Sequence, residues 1–342
     1  MAPCECELLT YNPRTLLGSG WRPRRRDGSC LNFGTDDYGQ ARSARARGPF
    51  VALAAGWGHS LGLKADGSCV CWGRNDFGQA PPEIVPGPFL QVAAGYGHSL
   101  GLRLDGSVQV WGSDRFCVPT PEIAATSVLR VVTNVAKSRR RSVSRMMALK
   151  REALADADSP PTSPICRRPL TQVSCGGCHS LGLTTSGSVV AWGDNSFGQT
   201  RPPPGNDFVA VAAGSGHSLA LRANGQVMCW GNDENGQAPP HVKGSFSAIA
   251  AGYRHSVGLR SGDQSIVCFG LDSHGQAPPE VPGPFVAIDA CGNCTVALRA
   301  EGSVVCWGSY YPWTTDLPKR VSGPLAMPAK AVGPSSRRPS VS

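Results

Sequence analysis

The sequence predicts an all-β fold: a seven-bladed β-propeller of roughly three-stranded antiparallel blades, one of them degenerate. Three observations predict it. An aromatic-Gly pair recurs at Phe33-Gly34, Trp72-Gly73, Trp111-Gly112, Trp192-Gly193, Trp230-Gly231, Phe269-Gly270 and Trp307-Gly308, at spacings of 39, 39, 81, 38, 39 and 38 residues. A second motif precedes most of these pairs: LAAGWGHSLGL (53–63), VAAGYGHSLGL (92–102), VSCGGCHSLGL (173–183), VAAGSGHSLAL (211–221) and IAAGYRHSVGL (249–259). Between the two motifs lies a turn pair, as in Asp66-Gly67, Asp105-Gly106, Ser186-Gly187, Asn224-Gly225 and Glu301-Gly302.

Each unit resolves into three short strands. In the first full unit Phe50–Ala54 is apolar, His59–Lys64 alternates, and Ser68–Trp72 returns after a two-residue Asp-Gly turn. Glycine and proline together make 71 of 342 residues, which favours many turns over long helices. Only Arg145–Leu154 suggests a short helix. Short antiparallel strands must have their edges managed, and radial repetition does so.

The irregular interval of 81 residues is close to two periods, so one unit has lost its aromatic. Its remnant is VVTNVAKS (131–138), followed by SRRRSVSRMMALKR (138–151) and a Ser/Pro run over 159–164. The chain therefore divides into an irregular segment 1–26, repeats over 27–125, a degenerate unit with a basic insert over 126–169, repeats over 170–308, and a basic tail 309–342. The stretch 126–169 is expected to be the weak point of the ring, leaving the blades on either side without one packing face.

Charge follows the same division. Residues 22–47, 126–169 and 319–342 carry +4, +7 and +5, against +9 for the whole chain, so the remainder carries −7. An acidic body argues against nucleic-acid binding except through the basic insert. Residues 1–13 hold two glutamates and no apolar core, and no stretch has the length of a membrane span. The expectation is a soluble, intracellular protein, cytoplasmic or nuclear, that does not engage membranes.

Five histidines, His59, His98, His179, His217 and His255, share one repeat position and would form a circle in a ring. Zinc is one reading, but ligands must converge to about 2 Å from the ion and blades hold equivalent positions apart. The favoured reading is structural, each His bonding within its own blade. Trp72, Trp111, Trp192, Trp230 and Trp307 read as wedges between blades. Cys71, Cys229, Cys268 and Cys306 precede strand-end aromatics and read as small buried hydrophobes with free thiols. Two CxxC pairs, Cys175/Cys178 and Cys291/Cys294, occupy mismatched repeat positions, which disfavours a shared metal site. DxxGQ loops such as Asp36–Gln40 and Asp194–Gln199 lack a calcium loop's bidentate Glu and read as turns. Ser142 and Ser340 each follow Arg at two and three residues upstream, a candidate phosphorylation context. No phosphate-binding loop, nucleophile elbow or zinc-protease helix motif is present, so no catalytic residue, cofactor or metal is expected.

The succession AAGxxHSLGL, DGSVxxWG, NxxGQ resembles the repeat of the regulator of chromosome condensation family, and its short period is closest to the compact β-lactamase-inhibitory propeller. The resemblance covers roughly 27–308, interrupted at 126–169. It implies a seven-bladed ring and a protein partner bound through loops on one face, without enzymatic chemistry. Family members also exchange guanine nucleotides on a small GTPase, sense light, or guide HECT-type ubiquitin ligases, so exchange factor and ubiquitin-ligase adaptor are the alternatives. Photoreception would need a Trp/Arg cluster. Of GWGHS, GYGHS and GYRHS, only one carries Trp and one Arg. The 34 residues after 308 are too few for a HECT domain, so no ligase cysteine is expected here.

Overall fold

A computed structural model describes residues 49–113, 169–301 and 303–308, with the short pieces 9–10, 24–25 and 38–39. Strands β1 (Leu9–Thr10) and β2 (Arg24–Arg25) pair with each other. Six blades follow, and no helix occurs among the described residues. Blade 1 holds β3 (Ala52–Ala55), β4 (His59–Leu63) and β5 (Cys69–Gly73). Blade 2 holds β6 (Phe89–Ala94), β7 (His98–Arg103) and β8 (Val108–Gly112). Blade 3 holds β9 (Leu170–Cys175), β10 (His179–Thr184) and β11 (Val189–Gly193). Blade 4 holds β12 (Phe208–Ala213), β13 (His217–Arg222) and β14 (Val227–Gly231). Blade 5 holds β15 (Phe246–Ala251), β16 (His255–Arg260) and β17 (Ile266–Gly270), with a fourth edge strand β18 (Glu280–Val281). Blade 6 holds β19 (Phe285–Cys291), β20 (Cys294–Arg299) and β21 (Val304–Gly308).

Every described blade is an antiparallel meander, its middle strand opening on the repeat histidine in blades 1 to 5 and on Cys294 in blade 6. The hairpin joining its last two strands is longer than the sequence suggests. Gly67 N–H donates to the Lys64 carbonyl (3.0 Å) and Lys64 N–H to the Ser68 carbonyl (2.8 Å), so three residues, Ala65 to Gly67, make the turn. Gly67 closes it at φ +80°, in the left-handed region open to glycine. Asp66 precedes it because its carboxylate accepts both the Ser68 N–H (2.8 Å) and hydroxyl (2.6 Å).

The first strand of each blade packs against the first and middle strands of the blade before it. The apolar clusters accordingly straddle blades. Leu61, Leu63 and Cys71 of blade 1 share a cluster with Phe89, Val92 and Trp111 of blade 2. Trp192 does the same against blade 2, Trp230 against blade 3, Phe269 against blade 4 and Trp307 against blade 5. At these five junctions the strand-end aromatic lies between blades, whereas Trp72 clusters, among the described residues, with Phe50, Val70 and Leu53 of its own blade. Cys71 and Cys268 are buried as expected, whereas Cys229 and Cys306 are only half-buried.

One expectation is corrected. Blades 2 and 3, which flank residues 114–168, meet face to face with no open slot. Gln91 of β6 donates to the Val173 carbonyl and accepts the Val173 N–H, both at 3.0 Å, while Leu170 N–H donates to the Gly106 carbonyl at 2.9 Å. Neither blade lacks its packing face. The degenerate unit, the basic insert and the opening half-unit otherwise lie outside the described residues, as do the proposed helix over 145–154 and Ser142 and Ser340. Tyr38 and Gly39 are the exception. Tyr38 stands against Gly58 of blade 1 as Phe77 stands against Gly97 of blade 2, the relation of a preceding repeat to its successor. Six blades and this preceding turn are consistent with a seven-bladed ring.

The SLGL glycine of the middle strand has a steric reason. A Cβ at Gly62, Gly101 or Gly258 would stand 2.5–2.6 Å from the ring of Phe50, Phe89 or Phe246. Blades 4 and 6 carry Ala220 and Ala297 at this position, so a methyl can be absorbed by small shifts. Gly101→Val should therefore lower stability by about 1–3 kcal/mol through overpacking, and Gly101→Ala by clearly less. Urea unfolding of the two variants checks this; equal effects would contradict the steric account.

Candidate functional site

The Gly-x-x-His loops gather at one end of the blades and form a polar belt. In each, the Gly N–H donates to the His carbonyl three residues on, as from Gly95 to His98 and from Gly214 to His217, both at 2.9 Å. The imidazole folds back over that glycine, where a Cβ would meet Cε1 at 2.1–2.4 Å. The histidines do not bond within their own blades, as the sequence suggests. Each reaches the hydroxyl of the next blade: His59 Nε2 to Ser99 (2.9 Å), His98 to Ser180 (3.1 Å), His179 to Ser218 (2.9 Å), His217 to Ser256 (2.9 Å) and His255 to Thr295 (2.8 Å).

The hydroxyls fix the direction of these bonds. Ser99, Ser218, Ser256 and Thr295 donate their one proton to the carbonyls of Gln79, Gln199, Gln237 and Gln276 at 2.8–2.9 Å. The imidazoles they meet must therefore donate from Nε2–H, leaving Nδ1 as a lone pair. The same glutamine carbonyls accept the indole N–H of the next blade's tryptophan, at 3.1 Å from Trp111 and 2.8 Å from Trp230. Each glutamine side chain in turn accepts a loop N–H, from Phe77, Phe197, Asn235 or His274. The glutamine of the GQ turn is thus a buried node of the belt, although the turn that carries it reaches the surface. The signal that reveals it is a long polar residue recurring one step after a turn glycine, where a surface turn would vary.

Burial sets the chemistry of the belt. Desolvation pushes His98 and His217 down to about 3, and His179 and His255 down to about 4. At neutral pH these rings are uncharged hydrogen-bond donors. Among the described residues, no three His, Cys, Asp or Glu side chains are grouped so as to hold a metal ion.

Above the belt the loops are unequal around the face. Trp57 and Tyr96 lie with ring centroids 4.8 Å apart, Tyr38 lies 5.9 Å from Trp57, and all three are exposed. The Arg74 guanidinium stands over Tyr38, Trp57 and Phe77 at 5.2, 5.2 and 5.5 Å, and pairs with Asp76 at 2.5 Å. Blades 3 and 4 present only Gly177 and Ser215 at the equivalent of Trp57, and blade 5 presents Tyr253 with Arg254. Their turns carry Asp194, Asp233, Glu234 and Asp272.

A family model for the regulator of chromosome condensation (RCC1) repeat matches residues 50–79, 89–116, 170–199, 208–237 and 246–276, each match running from a blade's first strand through its GQ turn or the corresponding loop. These five segments carry the RCC1 repeat. Among solved structures it is similar to Prp20p from Saccharomyces cerevisiae, at 18% identity over 89% of this chain and 82% of that one, with a TM-score of 0.56. It is also similar to human WBSCR16, at 21% identity over 88% and 83%, TM-score 0.54. The CRINKLY ectodomain of the Arabidopsis thaliana receptor kinase ACR4 matches at 22% identity over 75% and 81%, TM-score 0.51. At these identities the likeness is one of fold. A comparison with curated proteins finds no match.

In this RCC1-repeat chain the cysteine pairs stay local. Cys175 and Cys178 sit at the end of β9 and in the following loop, while Cys291 and Cys294 face each other across a tight turn of blade 6. Burial pushes the thiols of Cys229 and Cys268 up to about 12, so both are protonated and unreactive at neutral pH. At the strand-end position Trp72, Trp111 and Trp192 are buried, and Trp230 and Trp307 half-buried.

Folding stability should fall in acid because of the belt. The unfolded chain binds protons on these histidines from about pH 6.5, whereas the folded chain resists until about 3–4. Stability is full above pH 7 and declines between 7 and 4, by about 2 kcal/mol per buried histidine between pH 7 and 5. Hydrogen-bonded Asp66, Asp105, Asp194 and Asp263 add to the loss only at still lower pH, and buried Asp289, pushed up, acts with the opposite sign. Denaturant midpoints measured from pH 8 to 4.5 test this. His217→Gln should flatten the curve, and a level profile between pH 7 and 5 in the parent protein would refute it.

Proposed function

We propose that this propeller is a non-enzymatic, intracellular interaction module that binds a protein partner across the face formed by its Gly-x-x-His and GQ loops. The observation that carries the reading is a division of labour on that face. The histidines of the repeat are buried, neutral and spent on joining blades, while Trp57, Tyr96, Phe77 and Tyr38 are held exposed in a contiguous cluster. Aromatic side chains presented by a rigid scaffold are what binding hot spots are made of, and exposed apolar clusters are rare without a partner. Free thiols at Cys69, Cys71, Cys178, Cys268 and Cys294 suit a reducing compartment.

The fold neighbour Prp20p is reported to bind Gsp1p and histones, which supports a protein partner and keeps a guanine-nucleotide exchange role as the second reading. An adaptor role in a ubiquitin-ligase system rests on family resemblance alone. Affinity capture with quantitative mass spectrometry tests the reading. Trp57→Ala/Tyr96→Ala should deplete the specific interactors, whereas Leu104→Ala, at the hairpin end and 76% exposed, should retain them. A small GTPase among the depleted proteins would favour exchange, and ubiquitin machinery the adaptor role. Capture unchanged by the face variant but lost with Leu104→Ala would place the binding surface at the other end.

A further inference from the structure

The charge distribution of this face specifies the partner more closely, and the inference rests on the face being the binding surface. Among the described residues of the loops at this end, Asp76, Asp194, Asp233, Glu234 and Asp272 oppose Arg74, Arg201 and Arg254, a net of −2. Arg74 is already neutralised by Asp76, and Arg201 belongs to the turn of Asp194, where its N–H donates to the Gly198 carbonyl, so the surplus lies on the turns of blades 4 and 5. Asp194, Asp233 and Asp272 each lend an oxygen to their own turn, accepting N–H groups from Ser196, Ala238 and Ala277. Burial of Asp194 is outweighed by the hydrogen bonds from Ser196 and Gln199, which hold its carboxyl below the usual carboxylate range, and all three aspartates bring negative charge to the face. The blade 4 turn with Asp233 and Glu234 abuts the blade 5 loop with Tyr253 and Arg254, where Gln237 packs beneath Gly270.

The chain contains an example of the recognition this surface supports. Arg74 has its guanidinium over three aromatic rings and paired with a carboxylate. Tyr253, Glu234 and Asp272 offer the same ingredients, exposed, on the opposite side of the face. We infer that the face binds an extended, Lys/Arg-rich protein segment, its cationic groups on the acidic turns of blades 4 and 5 and its apolar side chains on the Tyr38–Trp57–Tyr96 cluster. Nucleic acid and acidic peptides meet the wrong sign of charge there. The contiguous rings give an apolar anchor, and the carboxylates give orientation and on-rate.

Fluorescence anisotropy on the full chain tests the inference with three labelled probes: a peptide of alternating Lys/Arg and Leu, its Glu-for-Lys/Arg counterpart, and a single-stranded oligonucleotide. The basic peptide should bind, and more weakly as salt rises. Asp233→Lys/Glu234→Lys and Trp57→Ala should each weaken it about tenfold or more, with Leu104→Ala neutral and unfolding midpoints confirming intact folds. Equal binding of the acidic peptide, preference for the oligonucleotide, or basic-peptide binding indifferent to the charge reversal would overturn it. The two readings separate cleanly. If captured partners are lost with Trp57→Ala but not with the charge reversal, the face is the binding surface and the basic-segment inference fails. If neither variant alters capture, both fail.

Discussion

The blades of this protein are held by the apolar faces they share. A three-stranded sheet a few residues wide has two apolar faces and can bury neither alone, so at each of the five described junctions a hydrophobic cluster forms where one blade lies on the next. Everything else in the repeat serves that stacking. The strand-end aromatic reaches back over the preceding blade, the small Ala-Ala-Gly run lets the first strands approach, and the middle-strand glycine leaves room for the phenylalanine ring. The polar belt obeys the same rule, since its bonds run from the histidine of one blade to the hydroxyl and glutamine carbonyl at the next junction. The His–Ser and Ser–Gln bonds of the belt form only when two blades are correctly in register.

This explains which parts were legible in the sequence. The six described blades and their boundaries follow from a 38–39 residue period, and the wedge role of Trp111 or Trp192 follows from large apolar area at a fixed strand end. The destination of His217 was not legible, because sequence periodicity places a residue within its own unit and is silent about what the adjoining unit presents. Gln237 was missed for a related reason. Its position after Gly236 has the local chemistry of a turn, and only the meeting with Ser256 makes its carbonyl a junction point. The Asp66-Gly67 hairpin was right in kind but one residue short, since Asp-Gly suits both a two-residue turn and the three-residue turn closed by a left-handed glycine.

The candidate site was legible in its parts and not in its assembly. Trp57, Tyr96 and Tyr253 were visible as variable residues before the histidine, and Arg254 as the one arginine beside them. The guanidinium that enters the aromatic cluster is instead Arg74, from the outer turn of blade 1, brought there because its N–H donates to the Gly58 carbonyl at 2.7 Å. Loop residues from two different motifs share a face only because the antiparallel meander returns its third strand to the end where the second began.

The joint between blades 2 and 3 has a consequence for how such rings can grow. Between Gly112 and Leu170 lie 57 residues, where 15 separate Gly73 from Phe89, yet the contacts across both joints are of the same kind. Even for a wholly flexible connection, the added length raises the closure cost by only about 1 kcal/mol, because that cost grows with the logarithm of loop length. The adhesion at the joint is set by the blade faces and is blind to the route the chain takes between them. A connector in this architecture is therefore a permissive site for grafting new sequence, and a ring can acquire a regulatory or targeting segment without renegotiating the packing that holds it closed.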